Sequence, residues 1–323
     1  MQQRQLGTNG PDVSAIGYGA MSLSSTYGKS EDAESIDALH AVVESGITYI
    51  DTAEAYGGGH NEKLVGQFLR ECGEKVFLST KFGIYFEDGP RIDASPENAQ
   101  RAVDGSLERL GIEQIDLYYA HRVDPNVPVE ETVGAMAELV KAGKIAHIGL
   151  SACKADTLRR AATEHPITAV QSEYSLWTRT PEEAVLSACE EVGAGFVPYS
   201  PLGRGFLVDQ IPTAENMSGF HKAVPRYQGD NLEKNLSLAE QVKALAAELH
   251  VPAAQLALAW TTAQRPFVVP IFGTRRRARV EENAGAGELA LDATTLARLD
   301  EICPPGAAAG APLPEFMSLM AER

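Results

Sequence analysis

Eight short β-branched or apolar runs recur along this chain, each followed by a longer stretch of helical period. The runs are Ser14–Gly19, Ile47–Asp51, Val76–Lys81, Ile115–Ala120, Ile145–Leu150, Ala169–Ser172, Gly195–Tyr199 and Val268–Ile271. Strands alternating with helices build parallel βαβ units. Eight units without a compositional break predict one closed (β/α)8 barrel, a TIM barrel, over 1–323, rather than two doubly wound sheets. Helix signals agree with this. Glu31–Glu44 carries Ile36, Leu39 and Val43 on one face and stops at Gly46; Asn98–Leu110 follows the cap-and-proline pair Ser95-Pro96 and stops at Gly111. Val129–Ala142 and Pro181–Val192 also end before glycine. The opening Gln5–Pro11 contains Asn9-Gly10, which predicts an N-terminal β-hairpin ahead of the barrel. Gly203–Asp230 has little period and reads as a lid or cofactor clamp. The Pro/Ala/Gly-rich 304–323 reads as a tail or a loop over the mouth, with Phe316, Met317, Leu319 and Met320 as its apolar residues.

Composition excludes several classes. The formal charge of −16 disfavours nucleic acid, whose phosphates it repels. No stretch reaches the ~20 apolar residues of a membrane helix, and Met1–Gly7 has no apolar core of a leader, so a cytoplasmic protein off the membrane is expected. Cys72, Cys153, Cys189 and Cys303 are scattered, which predicts free thiols and no metal centre. The basic run Arg275-Arg276-Arg277, with Arg279, stands out in so acidic a chain and suggests a local anionic ligand.

In such a barrel, active residues project from the C-terminal ends of the strands. Those ends carry Asp51, Lys81, His121-Arg122, Ser151, Gln171, Tyr199-Ser200 and Gly273-Thr274, and the loop after Asp51 adds Tyr56. Four of these form a chemical set. A carbonyl that accepts a hydride becomes an alkoxide and needs a proton. Tyr56 is a poor acid at an ordinary pKa of about 10. A Lys81 ammonium beside it is expected to lower that pKa. Asp51 would hold Lys81 charged, and His121 would donate a hydrogen bond to the carbonyl.

Asp51-Thr52-Ala53-Glu54-Ala55-Tyr56-Gly57, Ser79-Thr80-Lys81 and Tyr118-Tyr119-Ala120-His121-Arg122 together resemble the aldo-keto reductase superfamily, from about Arg4 to about Ile302. Within it the chain looks closest to the bacterial pyridoxal-reductase-like and general aldehyde reductases. The resemblance implies that Asp51, Tyr56, Lys81 and His121 are the catalytic tetrad of an NADPH-dependent reductase acting on a small carbonyl substrate. It also implies an extended nicotinamide cofactor. Ser151 and Gln171 would hold its carboxamide and Tyr199 would stack on its ring. Ser200, Leu202, Gly203 and Arg204 would line the pyrophosphate, and Gly273 and Thr274 the adenosine phosphate. Arg275 and Arg279 would grip the 2′-phosphate, while Glu282 and Asn283 would contact adenine. Two positions depart from the pattern: Ala152 where many relatives carry Asn, and Phe272 where Pro is common in this branch.

Other readings are separable. A barrel aldolase would use Lys81 as a Schiff base but leaves Tyr56 and the arginines without a task. A metal-dependent barrel hydrolase would lose activity with a chelator. A regulatory subunit, as among potassium-channel partners of the same superfamily, would bind NADPH and turn over poorly. Trp177 could serve either the core or the pocket. Tyr27, Phe82 and Tyr85 are expected to shape the pocket from strand-end loops.

Overall fold

The computed structural model describes residues 1–24, 28–87, 89–213, 215, 217–314, 317, 320 and 322. Strands β1 (Gln3–Gln5) and β2 (Asp12–Ser14) form the antiparallel hairpin. The barrel follows with β3 (Gly17–Gly19), helix α1 (Asp32–Glu44), β4 (Tyr49–Asp51), α2 (His60–Cys72) and β5 (Phe77–Phe82). A small ribbon, β6 (Ile84–Tyr85) and β7 (Arg91–Ile92), precedes α3 (Pro96–Leu110), β8 (Ile115–Ala120), α4 (Val129–Lys141), β9 (Ile145–Ser151) and α5 (Ala155–Glu164). Then come β10 (Ala169–Glu173), α6 (Val185–Val192), β11 (Gly195–Tyr199), α7 (Gly219–Ala223), α8 (Gly229–Glu248), α9 (Ala253–Ala263), β12 (Ile271–Phe272), α10 (Arg277–Ala284) and α11 (Ala293–Ile302). Strands β3, β4, β5, β8, β9, β10, β11 and β12 close, all parallel, into the expected barrel.

The hairpin plugs the foot. Leu6 and Val13 are buried in one cluster with Tyr49, Leu117, Tyr119, Val197, Val269 and Ile271, which point into the barrel. Gly7 packs against the Thr168 and Gly193 carbonyls at the strand starts, and Thr8 N–H bonds to Gly193 O at 2.8 Å. A larger apolar layer fills the space between the strands and the outer helices. The mouth is therefore left to the loops after the strands.

Some boundaries shift for local reasons. The first run divides, its start joining the hairpin and only Gly17–Gly19 entering the barrel. The last strand sits later than Val268–Ile271. Pro270 has no N–H for the ladder, so Val268 keeps a single bridge to Phe196. The helix expected over Pro181–Val192 breaks at Ala184, whose φ of −154° and ψ of −36° are not helical, into a 3-10 turn and α6. Ser95 caps α3 as its sequence suggests, accepting from Asn98 N–H at 3.3 Å, and Gly111 ends that helix at φ 69°.

Among the described residues, the aperiodic Gly203–Asp230 contains short turns of helix before α8. It is pinned to the tail: Arg226 N–H bonds to Ala311 O, and Asn235 pairs with Ala309 through both its donor and its acceptor. Phe316 and Leu319 lie outside the described residues. No helix among the described residues is long and apolar enough to cross a membrane.

Candidate active site

Strand register brings the tetrad together. Asp51 lies beside Ser79 across β4 and β5, and Lys81 beside Tyr119 across β5 and β8. Two residues on from Ser79 on the same face, Lys81 projects to the mouth with its side chain fully buried. Its ammonium has three protons, and each has an acceptor: Asp51 Oδ1 at 2.5 Å, Thr52 O at 2.8 Å and Tyr56 Oη at 3.2 Å. The Tyr56 oxygen thus accepts from Lys81 and keeps its own O–H to donate elsewhere. The second Asp51 oxygen accepts from Ser79 Oγ at 2.6 Å and Gln171 Nε2 at 2.9 Å.

Charge follows from these contacts. Burial pulls the Lys81 pKa down, but Asp51 and Tyr56 outweigh it and hold the ammonium above the ordinary lysine range. Burial likewise raises the Tyr56 phenol, and Lys81 only partly opposes the rise. Lys81 thus acts in the expected direction, and desolvation of the phenolate is the larger effect. His121 stands edge-on to Tyr56, with ring centroids 5.8 Å apart at 81°. Burial, then Lys81 and Arg122, push its pKa well below the ordinary histidine value, so the ring is neutral and carries one N–H. Its Nδ1 is buried without a hydrogen-bond partner among the described residues. Arg122 braces the loop, donating to His121 O at 2.7 Å and to Ser151 Oγ at 3.3 Å.

The remaining expected residues lie at the ends of β9, β10 and β11 or follow β11 and β12. Ser151 and Gln171 are neighbours across β9 and β10, and Tyr199 ends β11. Ser200 has a φ of 54° and its carbonyl accepts from Gly203 N–H, so the Ser200–Gly205 backbone curls tightly past Leu202. Arg204 is ion-paired with Glu173 at 2.7 Å, both side chains nearly inaccessible. Gly273 follows β12; a Cβ there would stand 3.0 Å from Gly19 O. Thr274 O accepts from the Tyr18 hydroxyl. Arg275 donates to Gly28 O at 2.8 Å and Lys29 O at 2.6 Å, and Arg279 to Gln210 Oε1 at 3.2 Å. Glu282 is exposed, its carbonyl accepting from Gln255, and Asn283 is buried.

The basic run divides in function. Arg277 is bound to Asp37 and Glu44 of α1 and to Glu281, so it ties helices together. The partners of Arg275 and Arg279 among the described residues are neutral oxygens, which leaves their charge for an anion. No side chain caps α10, and no acidic residue occupies its first turn. These features suit the phosphates of a nucleotide.

Sequence reasoning missed Ser79, which completes the Asp51 contacts, and Glu173, which holds Arg204. The cue for Ser79 is its place two residues before Lys81 on the same strand face. Phe82 is corrected to the core: it is buried and stacks on Tyr118 with centroids 5.0 Å apart. Trp177 is buried against Phe206 and Tyr227. Tyr27 lies outside the described residues.

Comparison with known proteins decides the family. The Aldo/keto reductase family model matches residues 15–304. The chain belongs to the aldo/keto reductase family. Probable aldo-keto reductase 1 of Glycine max is 44% identical over 319 residues, covering 96% of this chain and 91% of that protein. The glycerol dehydrogenase structure from Gluconobacter oxydans superimposes with a TM-score of 0.84 at 26% identity, covering 93% of this chain and 94% of that one. An aldo-keto reductase from Bacillus halodurans, solved in its holo form, gives a TM-score of 0.80 at 28% identity, covering 96% and 98%. As an aldo-keto reductase, the protein is an oxidoreductase of carbonyl chemistry, and its family works with a nicotinamide nucleotide.

Proposed function

We propose that this aldo-keto reductase uses NADPH to reduce an aldehyde or ketone to the alcohol, with Tyr56 as general acid. The observation that carries the reading is the Lys81 ammonium, which donates to Tyr56 Oη while anchored by Asp51. Ser151 and Gln171 would hold the cofactor carboxamide, with Tyr199 against the ring. Ser200, Leu202, Gly203 and Arg204 would take the pyrophosphate, and Gly273 and Thr274 the adenosine phosphate. Arg275 and Arg279 would receive the 2′-phosphate through guanidinium forks, and Glu282 and Asn283 would border the adenine. Reduced nicotinamide, when bound, supplies the hydride.

The chain's own residues manage the proton. His121, neutral, directs its N–H at the carbonyl oxygen and orients it. As negative charge develops on that oxygen, Tyr56 gives it the phenolic proton. The phenolate left behind faces Lys81, whose charge is stabilised by Asp51, itself held in place by Ser79 and Gln171. The dry surroundings strengthen each of these interactions.

The test is NADPH oxidation with a panel of carbonyls. Tyr56→Phe should lower turnover about a hundredfold or more while NADPH still binds. Arg279→Ala should raise the KM for NADPH about tenfold and leave that for NADH nearly unchanged. Turnover that survives Tyr56→Phe would remove Tyr56 as the acid. NADPH binding without turnover of any carbonyl would favour a regulatory role.

A further inference from the structure

Behind the tetrad, on the helix side of the strand wall, a chain of polar groups joins the Tyr56 loop to the Lys81 strand. Thr80 Oγ1 donates to Glu62 Oε1 at 2.6 Å, and Arg109 Nε donates to Glu62 Oε2 at 2.6 Å. The same guanidinium ion-pairs with Glu54 at 3.6 Å. The Tyr85 hydroxyl closes the chain, 3.2 Å from Glu54 Oε2. Glu62 is fully buried, and the Glu54 and Arg109 side chains are mostly so. Two carboxylates this close repel one another, and Arg109 is the cation between them.

The backbone makes room for this guanidinium. A Cβ on Gly59 would stand 2.7 Å from Arg109 Cδ, and one on Gly105 would stand 2.8 Å from Arg109 Nη1. Both lie below any normal contact, and Gly59 also has a φ of 86°. Gly59 ends the loop that carries Tyr56, and its N–H bonds to Glu54 O at 2.9 Å. Glu54 N–H bonds to the Lys81 carbonyl at 3.0 Å. Arg109 therefore grips Glu54 at the point where the tyrosine loop meets the lysine strand.

We propose that Arg109 is a positioning residue for the proton donor, holding the loop of residues 53–59 so that Tyr56 Oη stays on Lys81 Nζ. This role rests on the function proposed above. Glu62 serves as the fixed anchor through Thr80, and Arg109 transmits that anchor to Glu54. Arg109 also lines an outer cavity of about 530 Å³, shared with Gly58, Lys63, Arg70 and Glu108. Without the guanidinium, Glu54 and Glu62 lose their common counter-charge and the loop shifts by its Glu54 end. A displacement of about 1 Å in a reacting group can cost about a hundredfold in rate.

The experiment compares wild type, Tyr56→Phe, Arg109→Met, Arg109→Lys and Glu108→Gln as full-length proteins. Single-turnover NADPH oxidation and the NADPH Kd are read separately on the folded fraction. Arg109→Met should slow the single-turnover step at least about tenfold, with the Kd within about twofold of wild type. Glu108→Gln, in the same cavity, should change neither. Arg109→Met with a wild-type single-turnover rate would overturn the role, as would a rate loss matched by an equal loss of NADPH affinity. If Arg109→Met does not fold, Arg109→Lys is judged by the same two criteria, since it keeps the charge but not the fork. Turnover retained by Tyr56→Phe would instead defeat the proposed function, and this role with it.

Discussion

At the scale of single residues, the decisive fact is where protons already are. Lys81 spends its three on Asp51, Thr52 and Tyr56, so the Tyr56 O–H is not held by the lysine and is open to transfer, beside the N–H that neutral His121 keeps for hydrogen bonding. Burial keeps the phenol protonated and Asp51 keeps the ammonium charged, both on the alkaline side of neutrality. His121 stays neutral through the same range. Carbonyl reduction, which consumes the phenolic proton, should thus be flat through neutral pH and fall only in alkali. Alcohol oxidation needs the phenolate and should climb with pH. Initial rates in both directions across a pH series check this; a reduction limb titrating below neutrality would show that another acid supplies the proton. The tetrad was readable in the sequence because each member ends a strand or follows one. The partners of Asp51 beyond Lys81 were not, since Ser79 and Gln171 reach it through barrel register, which no linear pattern states. Nor could the run of arginines reveal that Arg277 faces Asp37 and Glu44, residues more than two hundred positions earlier.

Elements were legible where caps and stops speak locally. Ser95-Pro96 before α3 and glycine after it mark both ends within a residue or two. Ser95→Ala removes the acceptor for Asn98 N–H and should cost about 1 kcal/mol in a denaturant titration, with activity per folded molecule unchanged. No loss would mean that Asp93 or water replaces the cap. The errors fall where tertiary contact overrides pattern. Strand β12 follows a proline and has two residues, too few to carry a period of its own. The segment between β11 and α8 has no period because distant groups hold it, such as Ala311 and Asn235 meeting Arg226.

For the whole molecule, the eightfold alternation carried the fold, and burial of titratable groups sets its tolerance of acid. Burial lowers the pKa of His121, His147 and His221. An unfolded histidine takes a proton near pH 6.5, and these three take one only at lower pH when folded. The unfolded chain thus binds more protons, so their stabilising effect is complete above about pH 6.5 and is lost as the pH falls below it. Melting temperatures from pH 8 to pH 5 should decline, and His147→Gln should decline less steeply than wild type. Equal slopes would show that His147 contributes nothing to acid sensitivity.

The N-terminal hairpin has one more effect. With Leu6 and Val13 sealing the floor beneath the packed side chains of the barrel interior, the mouth is the one doorway to the tetrad. Nucleotide and carbonyl must share it, and whichever sits deeper has to arrive first and depart last. Oxidised nucleotide should then compete with its reduced form and inhibit noncompetitively against the carbonyl. A random pattern would mean that two visitors can pass each other in the doorway.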